Sequence, residues 1–283
     1  MILLRMHGRL GNQMFEYAYG KYLATKYDQR LILDAIRPIW AKPSSPFALG
    51  CFEITDRVID WRLSTHVFWD LFAGKLPQWI KCLDLTPTDL EDRIAKNRLS
   101  LVWGRFMWLD HINAIEQVLR RQFVYRLPLT PAAREILAGI ETTNAIAIHV
   151  RRGDYLDRAD DFAVATERYY ANAIESIRST IQDPQFFVFS DDPDWTRATF
   201  ATDEFIIADT GEAHGGQDMY LMSQCKHQIM ANSTYSWWAA WLNTNPDKMV
   251  IAPGQWFVNE EKNRAILKNL VHSQPCCLVI GNQ

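Results

Sequence analysis

Cysteine is scarce in this chain. Its five thiols, Cys51, Cys82, Cys225, Cys276 and Cys277, are odd in number and lack the two-residue spacing of zinc ligands. That argues against a disulfide framework or a structural metal and for reduced thiols in a cytoplasmic protein. Long apolar runs are missing as well. No stretch reaches about 18 apolar residues, and the start, Met1-Ile2-Leu3-Leu4, meets a charge at Arg5; no signal peptide and no integral membrane segment is expected. An excess of one charge sign is also lacking. Thirty Lys and Arg stand against 33 Asp and Glu, a formal net charge of −3, so no nucleic-acid partner is expected, while a local basic pocket for a few phosphates is allowed. Internal repeats and low-complexity tracts are absent too, and the Asn232-Ser-Thr sequon has a role only in a secretory compartment.

What the chain does have is material for a core. It is 48% hydrophobic and 22% charged, with 11 Trp, 14 Phe and 10 Tyr, which excludes disorder. Its 283 residues suit two lobes of roughly 150 residues each or one large domain.

The second half alternates short apolar runs, at 145–150, 186–189, 205–208, 228–231 and 249–252, with helical patterns at 167–181, 219–225 and 237–242. That alternation predicts a doubly wound parallel sheet with crossover helices. A last strand is read at 276–280. Each run ends in polar or special residues: Arg151 and Arg152, Ser190 with Asp191, Asp209, Asn232 with Ser233, and Pro253-Gly254. Ligands of open α/β sheets bind outside the carboxyl ends of the strands, so one crevice can gather these groups. The first half opens as another βαβ unit, with a strand at 2–6, a glycine loop at 8–11, a helix at 13–26 and a strand at 30–33. From 38 to about 87 the pattern breaks down around Trp40, Trp61, Trp69 and Trp79, and helical patterns resume at 114–123 and 132–140. The domain boundary is placed near 141–144, giving lobes 1–142, with an irregular Trp-rich insertion, and 143–283.

Chemistry concentrates in the second lobe. In His149-Val-Arg151-Arg152-Gly-Asp154-Tyr155, strand alternation sends His149 and Arg151 to one face and Arg152 to the other. A guanidinium suits a diphosphate leaving group, because it is always charged and binds in a bidentate fork. The competing reading pairs these arginines with Asp154 or another acid. Asp192 precedes Pro193 and reads as a helix cap, whereas Asp191 reads either as an acceptor for a guanine edge or as a plain turn residue. Four of the five side chains in Asn232-Ser233-Thr234-Tyr235-Ser236, all but Tyr235, are small and polar and precede a Trp-rich helix, which makes its N-terminus an anion cradle. In the first lobe, Gly8-Arg9-Leu10-Gly11-Asn12-Gln13 lacks the three-glycine dinucleotide fingerprint, so a NAD site has little support even with Asp34 downstream. It remains a close-approach loop in which Asn12 and Gln13 can bond a ligand. His7, His66, His111, His214, His227 and His272 show no metal or triad spacing, and no metal site is read.

Four segments in order, GRLGNQMFEYAYG, IAIHVRRGDYL, FFVFSDDPDW and DMYLMSQCKHQIMANSTYSWWAAWL, resemble the family 11 glycosyltransferases, the α-1,2-fucosyltransferases, from Gly8 to Leu242. The resemblance implies a two-lobed GT-B-like α/β fold, with two Rossmann-like lobes facing a crevice. It also implies inverting transfer of L-fucose from GDP-β-L-fucose to the 2-hydroxyl of a terminal galactose in an oligosaccharide, with no metal or other cofactor. It assigns the donor pyrophosphate to Arg151, guanine to His149 and Asp191, and phosphate to the stretch Ser233, Thr234 and Ser236. With Asn232, Asn12 and Gln13 these form the expected donor set; the expected catalytic residues are Arg151 and, as base, Asp154, with Glu16 and Asp218 also open. His7-Gly8 departs from the two glycines common at this point of the family. The rival readings are a metal-dependent nucleotide-sugar transferase using Asp191 and Asp192, and a non-catalytic glycan-binding protein.

Overall fold

The computed structural model describes residues 1–35, 46–59, 91–92, 94–95, 99–211, 215–272 and 277–281. Trp40, Trp61, Trp69 and Trp79, and with them most of the Trp-rich insertion, lie outside the described residues, as do His66, His214, Cys82 and Cys276. The chain divides into two compact units, Met1–Arg126 and Leu127–Gln283.

The first unit holds a parallel sheet of β1 (Ile2–Arg5), β2 (Leu31–Asp34), β3 (Arg57–Ile59) and β4 (Ser100–Val102) in the order β3-β2-β1-β4. Helix α1 (Leu10–Lys26) makes the crossover from β1 to β2 and buries Met14, Phe15, Tyr17, Ala18, Tyr19 and Leu23. The single helical pattern read over 114–123 is two helices, α2 (Leu109–Ala114) and α3 (Glu116–Gln122), because the backbone leaves the helical region at Ile115 (φ −126°, ψ 25°).

In the second unit α4 (Pro131–Thr142) precedes a six-stranded parallel sheet, β5 (Asn144–Val150), β6 (Pro184–Ser190), β7 (Phe205–Ile207), β8 (His227–Ile229), β9 (Val250–Pro253) and β10 (Cys277–Ile280). Its order is β10-β9-β8-β5-β6-β7. Counting only this unit's strands, that is 3-2-1-4-5-6 read from the other edge, the doubly wound dinucleotide-binding arrangement. The sequence places the unit boundary after α4; the structure places it before. The cap of α4 decides this. Thr130 Oγ1 accepts from Ala133 N (3.2 Å) and donates to Thr210 O (3.1 Å), while Thr130 N donates to Gln217 Oε1 (2.8 Å), so the helix start is tied into the second unit.

The strands are apolar runs because both faces are covered. Ile146, Ile148, Val150, Phe186 and Val188 pack against Tyr169, Tyr170, Ala173, Ile174 and Ile177 of the helix Glu167–Arg178. The helix read over 237–242 begins earlier, as Thr234–Leu242, because Ser233 caps it by accepting from Tyr235 N (3.3 Å). Its Trp237 and Trp238 are fully buried, so these tryptophans are core and unavailable for stacking on a sugar.

Candidate active site

The order of the second sheet reverses between β5 and β8, and there a ligand crevice is expected at the carboxyl ends. Ile148 pairs with Ile229 across these strands, so Arg151 and Asn232 each stand three residues beyond one ladder position. The loops that follow are knitted together. Tyr155 donates to Asn232 O (3.3 Å), the His149 and Tyr235 rings lie 5.3 Å apart, and Tyr235 donates its hydroxyl to Gly215 O. Every second-unit residue of the expected donor set therefore gathers at one end of one sheet.

The two arginines divide as strand alternation predicts. Arg152 turns to the side of helix Pro193–Thr199, where its guanidinium lies 4.3 Å from the Trp195 ring centroid and its Nε 3.2 Å from Asp192 Oδ2. Asp192 also caps that helix, accepting from Trp195 N (3.2 Å), the role read for it from Pro193. Arg151 lies over the Tyr155 ring at 5.2 Å, with its side chain 14% exposed, and is clamped between two carboxylates: Asp191 Oδ2 at 2.7 Å from Nη1, and Asp154, which accepts from Nη2. The ion-pair reading of this segment is thus realised.

Asp191 organises the loop through its other oxygen. Oδ1 accepts from Arg152 N (2.8 Å) and Gly153 N (3.3 Å). A Cβ at position 153 would meet Asp191 Oδ2 at 2.7 Å, so any larger residue there has to push this carboxylate aside. Since β5 pairs Val150 with Ser190, the next residue on each strand, Arg151 and Asp191, are forced together by register. Two guanidiniums and three carboxylates make the cluster's own charge −1 by count, so an anion approaching Arg151 meets a guanidinium whose charge is already balanced by Asp154 and Asp191.

Other polar atoms are buried at this end without internal partners. His149 is 6% exposed and its Nδ1 has no hydrogen-bond partner among the described residues; the same is true of Asn232 Oδ1 and Trp256 Nε1. Burial, with the Arg151 charge adding to it, pushes the His149 imidazole down to about 3, so it is neutral near pH 7. A neutral imidazole both donates and accepts. Asn232 Nδ2 donates to Ala163 O (2.9 Å) and Trp256 O (3.1 Å), fixing the amide with its oxygen unspent. Ser236 uses its hydroxyl on Ala231 O and Ser233 O (3.2 Å each); Thr234 is the first residue of its helix and half-buried. Sequence reading gives no role to the hydroxyls of Tyr155, Tyr170 and Tyr235. Tyr170 donates to His149 O (3.0 Å), and its place in a helical apolar stripe gave no hint of that bond.

Asn12 and Gln13 sit in the first unit and are described within it. Gln13, 1% exposed, spends its amide on its own chain: Nε2 donates to Gly8 O (2.9 Å) and Pro46 O (2.8 Å), and Oε1 accepts from Ala48 N (2.8 Å). It shapes the glycine loop from behind. Asp218 accepts from Thr210 Oγ1 (2.5 Å). Asp191 and Asp192 turn to different guanidiniums, and among the described residues no three His, Cys, Asp or Glu side chains converge as metal ligands. No described helix is long and apolar enough to cross a membrane.

A family model described as Glycosyl transferase family 11 matches residues 108–271. The Escherichia coli protein named alpha-1,2-colitosyltransferase is 28% identical over 278 residues, covering 93% of this chain and 94% of that one. Galactoside alpha-(1,2)-fucosyltransferase 1 of Rattus norvegicus is 30% identical over 248 residues, 83% of this chain but 61% of its own length. Among solved structures, NodZ alpha-1,6-fucosyltransferase soaked with GDP-fucose aligns with a TM-score of 0.52 at 15% identity, covering 85% of this chain and 91% of that one. Escherichia coli ADP-heptose LPS heptosyltransferase II aligns at 0.51 and 15%, covering 99% and 89%. At these identities the structural likeness is one of fold, the two-unit α/β architecture of GT-B glycosyltransferases.

Proposed function

The chain belongs to glycosyl transferase family 11 and is a glycosyltransferase of the α-1,2-fucosyltransferase type; from that premise we propose that it transfers L-fucose from GDP-β-L-fucose to the 2-hydroxyl of a terminal galactose, with inversion and without a metal ion. The observation that carries the donor half is the meeting of Arg151 and the Ser233-capped helix start at the reversal point of the second sheet. Family membership removes the non-catalytic glycan-binding alternative.

In the proposed reaction the galactose oxygen attacks C1 of fucose, the bond from C1 to the diphosphate oxygen breaks, and its electron pair leaves with GDP. Negative charge grows on the diphosphate as that bond lengthens. Arg151 and the positive end of the helix dipole at Ser233 and Thr234 interact more strongly with that charge than with the ground state, which is what lowers the barrier. Because Arg151 already holds two carboxylates, the diphosphate displaces Asp154, the more exposed at 43% against 26% for Asp191. Asp191 stays, anchored by two backbone amides. Asp154, released, takes the hydroxyl proton. Donor binding thus frees the base. His149 and Asn232 Oδ1 offer buried partners to the guanine edge.

The testing experiment is mass-spectrometric detection of product from GDP-fucose and a panel of β-galactosides, with and without EDTA. Fucosylated product in both is expected; product lost with EDTA would move the assignment to Asp191 and Asp192 as metal ligands. A colitosyl donor is the second reading, favoured by the near full-length match to the colitosyltransferase, and a parallel reaction with the GDP-activated colitosyl sugar decides between them. Asp154→Asn is expected to slow transfer by about 10²-fold or more while GDP affinity, measured by calorimetry, stays equal or rises; unchanged turnover rejects it as base.

A further inference from the structure

The first unit has a reversal point of its own, between β1 and β4 in the order β3-β2-β1-β4. Beyond the ends of those two strands stand His7 and Trp103, with ring centroids 6.2 Å apart. Behind His7 is Glu16, on α1 and 2% exposed, an unusual place for a carboxyl group. Its Oε2 accepts from His7 N (2.8 Å), and its Oε1 lies 3.5 Å from His7 Nδ1. Gly8 turns the chain at a φ of +66°, and Gln13 holds Gly8 O, so the loop that carries His7 is fixed at both ends.

A buried carboxyl group is costly to a fold unless it is paired. Desolvation raises the Glu16 pKa, and His7 and, more weakly, Arg105 pull it back. The His7 side chain by contrast is 45% exposed. An exposed imidazole backed by a buried carboxyl is a fixed hydrogen-bonding group: the carboxyl holds Nδ1 and sets the ring orientation, so Nε2 is presented outward. Core packing alone needs neither the acid nor the exposed ring.

We propose that His7, oriented by Glu16 and flanked by Trp103, is a specificity-determining contact to the sugar acceptor. This rests on reading the second unit as the nucleotide-sugar site, which leaves the first unit's reversal point for the other substrate. The ligand class is a neutral saccharide. Nε2 bonds a sugar hydroxyl, and the indole covers an apolar sugar face. Glu16 is a positioning residue, buried and acting through His7.

The test reads acceptor binding apart from turnover. In NMR spectra of the full chain, the His7 imidazole signal, identified by its loss in His7→Ala, is followed as β-galactosides such as lactose and N-acetyllactosamine are added without donor. A shift with at least one of them is expected. In steady-state transfer, His7→Ala is expected to raise the acceptor KM about 3- to 10-fold, the worth of one hydrogen bond, with kcat within about twofold and GDP affinity unchanged. Glu16→Gln gives a smaller rise, and His7→Gln recovers part of the loss. An unmoved His7 signal across the panel, an unchanged acceptor KM, or a fall in kcat alone overturns the proposal. A His7 shift in a protein that makes no fucosylated product removes the donor and linkage reading and leaves this acceptor contact standing.

Discussion

Arg151→Ala is expected to reduce fucosyl transfer by 10²- to 10³-fold while the protein stays folded. Loss of one preorganised partner of a developing anion costs on the order of 3 kcal/mol of transition-state stabilisation. The same substitution breaks the pairs with Asp154 and Asp191, so the structural cost has to be weighed against it. Both carboxylates are partly exposed, which holds the loss of stability to roughly 1–2 kcal/mol. A native domain has about 5–15 kcal/mol in hand. Activity therefore falls far more than stability. Arg151→Lys separates the two contributions: it keeps the charge but loses the planar fork that spans two nitrogens, and turnover between wild type and alanine is expected. Steady-state kinetics beside thermal melting checks this. Near-normal turnover in a folded Arg151→Ala protein would refute the assignment of the diphosphate to this residue.

The frame of the second unit was legible because buried parallel strands are written as uninterrupted apolar runs. The runs at 145–150 and 249–252 lie within a residue of β5 and β9. Helix starts were less legible where the cap is a local hydrogen bond, as at Ser233, and the boundary at 126–127 was missed because Thr130 commits α4 through bonds to residues some 80 positions on. The chemical types at the site were readable, since two arginines, a histidine and an acid at a strand end say little else. Their partners were not. That Arg151 meets Asp191 follows from the pairing of Val150 with Ser190, and register is a property of the sheet that neither strand states alone. Glu16 and His7 likewise meet only because Gly8 reverses the chain between them.

Acid is expected to unfold this protein through two histidines. His149 and His111, 6% and 5% exposed, are both pushed down to about 3, His111 by burial alone and His149 by burial with the Arg151 charge added. Neither His111 Nε2 nor His149 Nδ1 has a hydrogen-bond partner among the described residues, so a proton added there meets no compensating acceptor. In the unfolded chain each titrates near the ordinary histidine value of about 6.5. Between about 6.5 and 3 the unfolded state therefore binds more protons than the folded one, and stability falls as pH falls through that window. Each group loses up to ~1.4 kcal/mol per pH unit within it, so at pH 4.5 the pair removes several kcal/mol of a total of about 5–15. Urea midpoints from pH 7.5 to 4.5 should drop steeply below about 6.5. His111→Leu, which leaves the arginine cluster untouched, should flatten the fall by one histidine's share; a variant profile parallel to wild type would refute the assignment. His149 is neutral across the working range, so its buried imidazole should add no titrating limb to the pH dependence of kcat/KM.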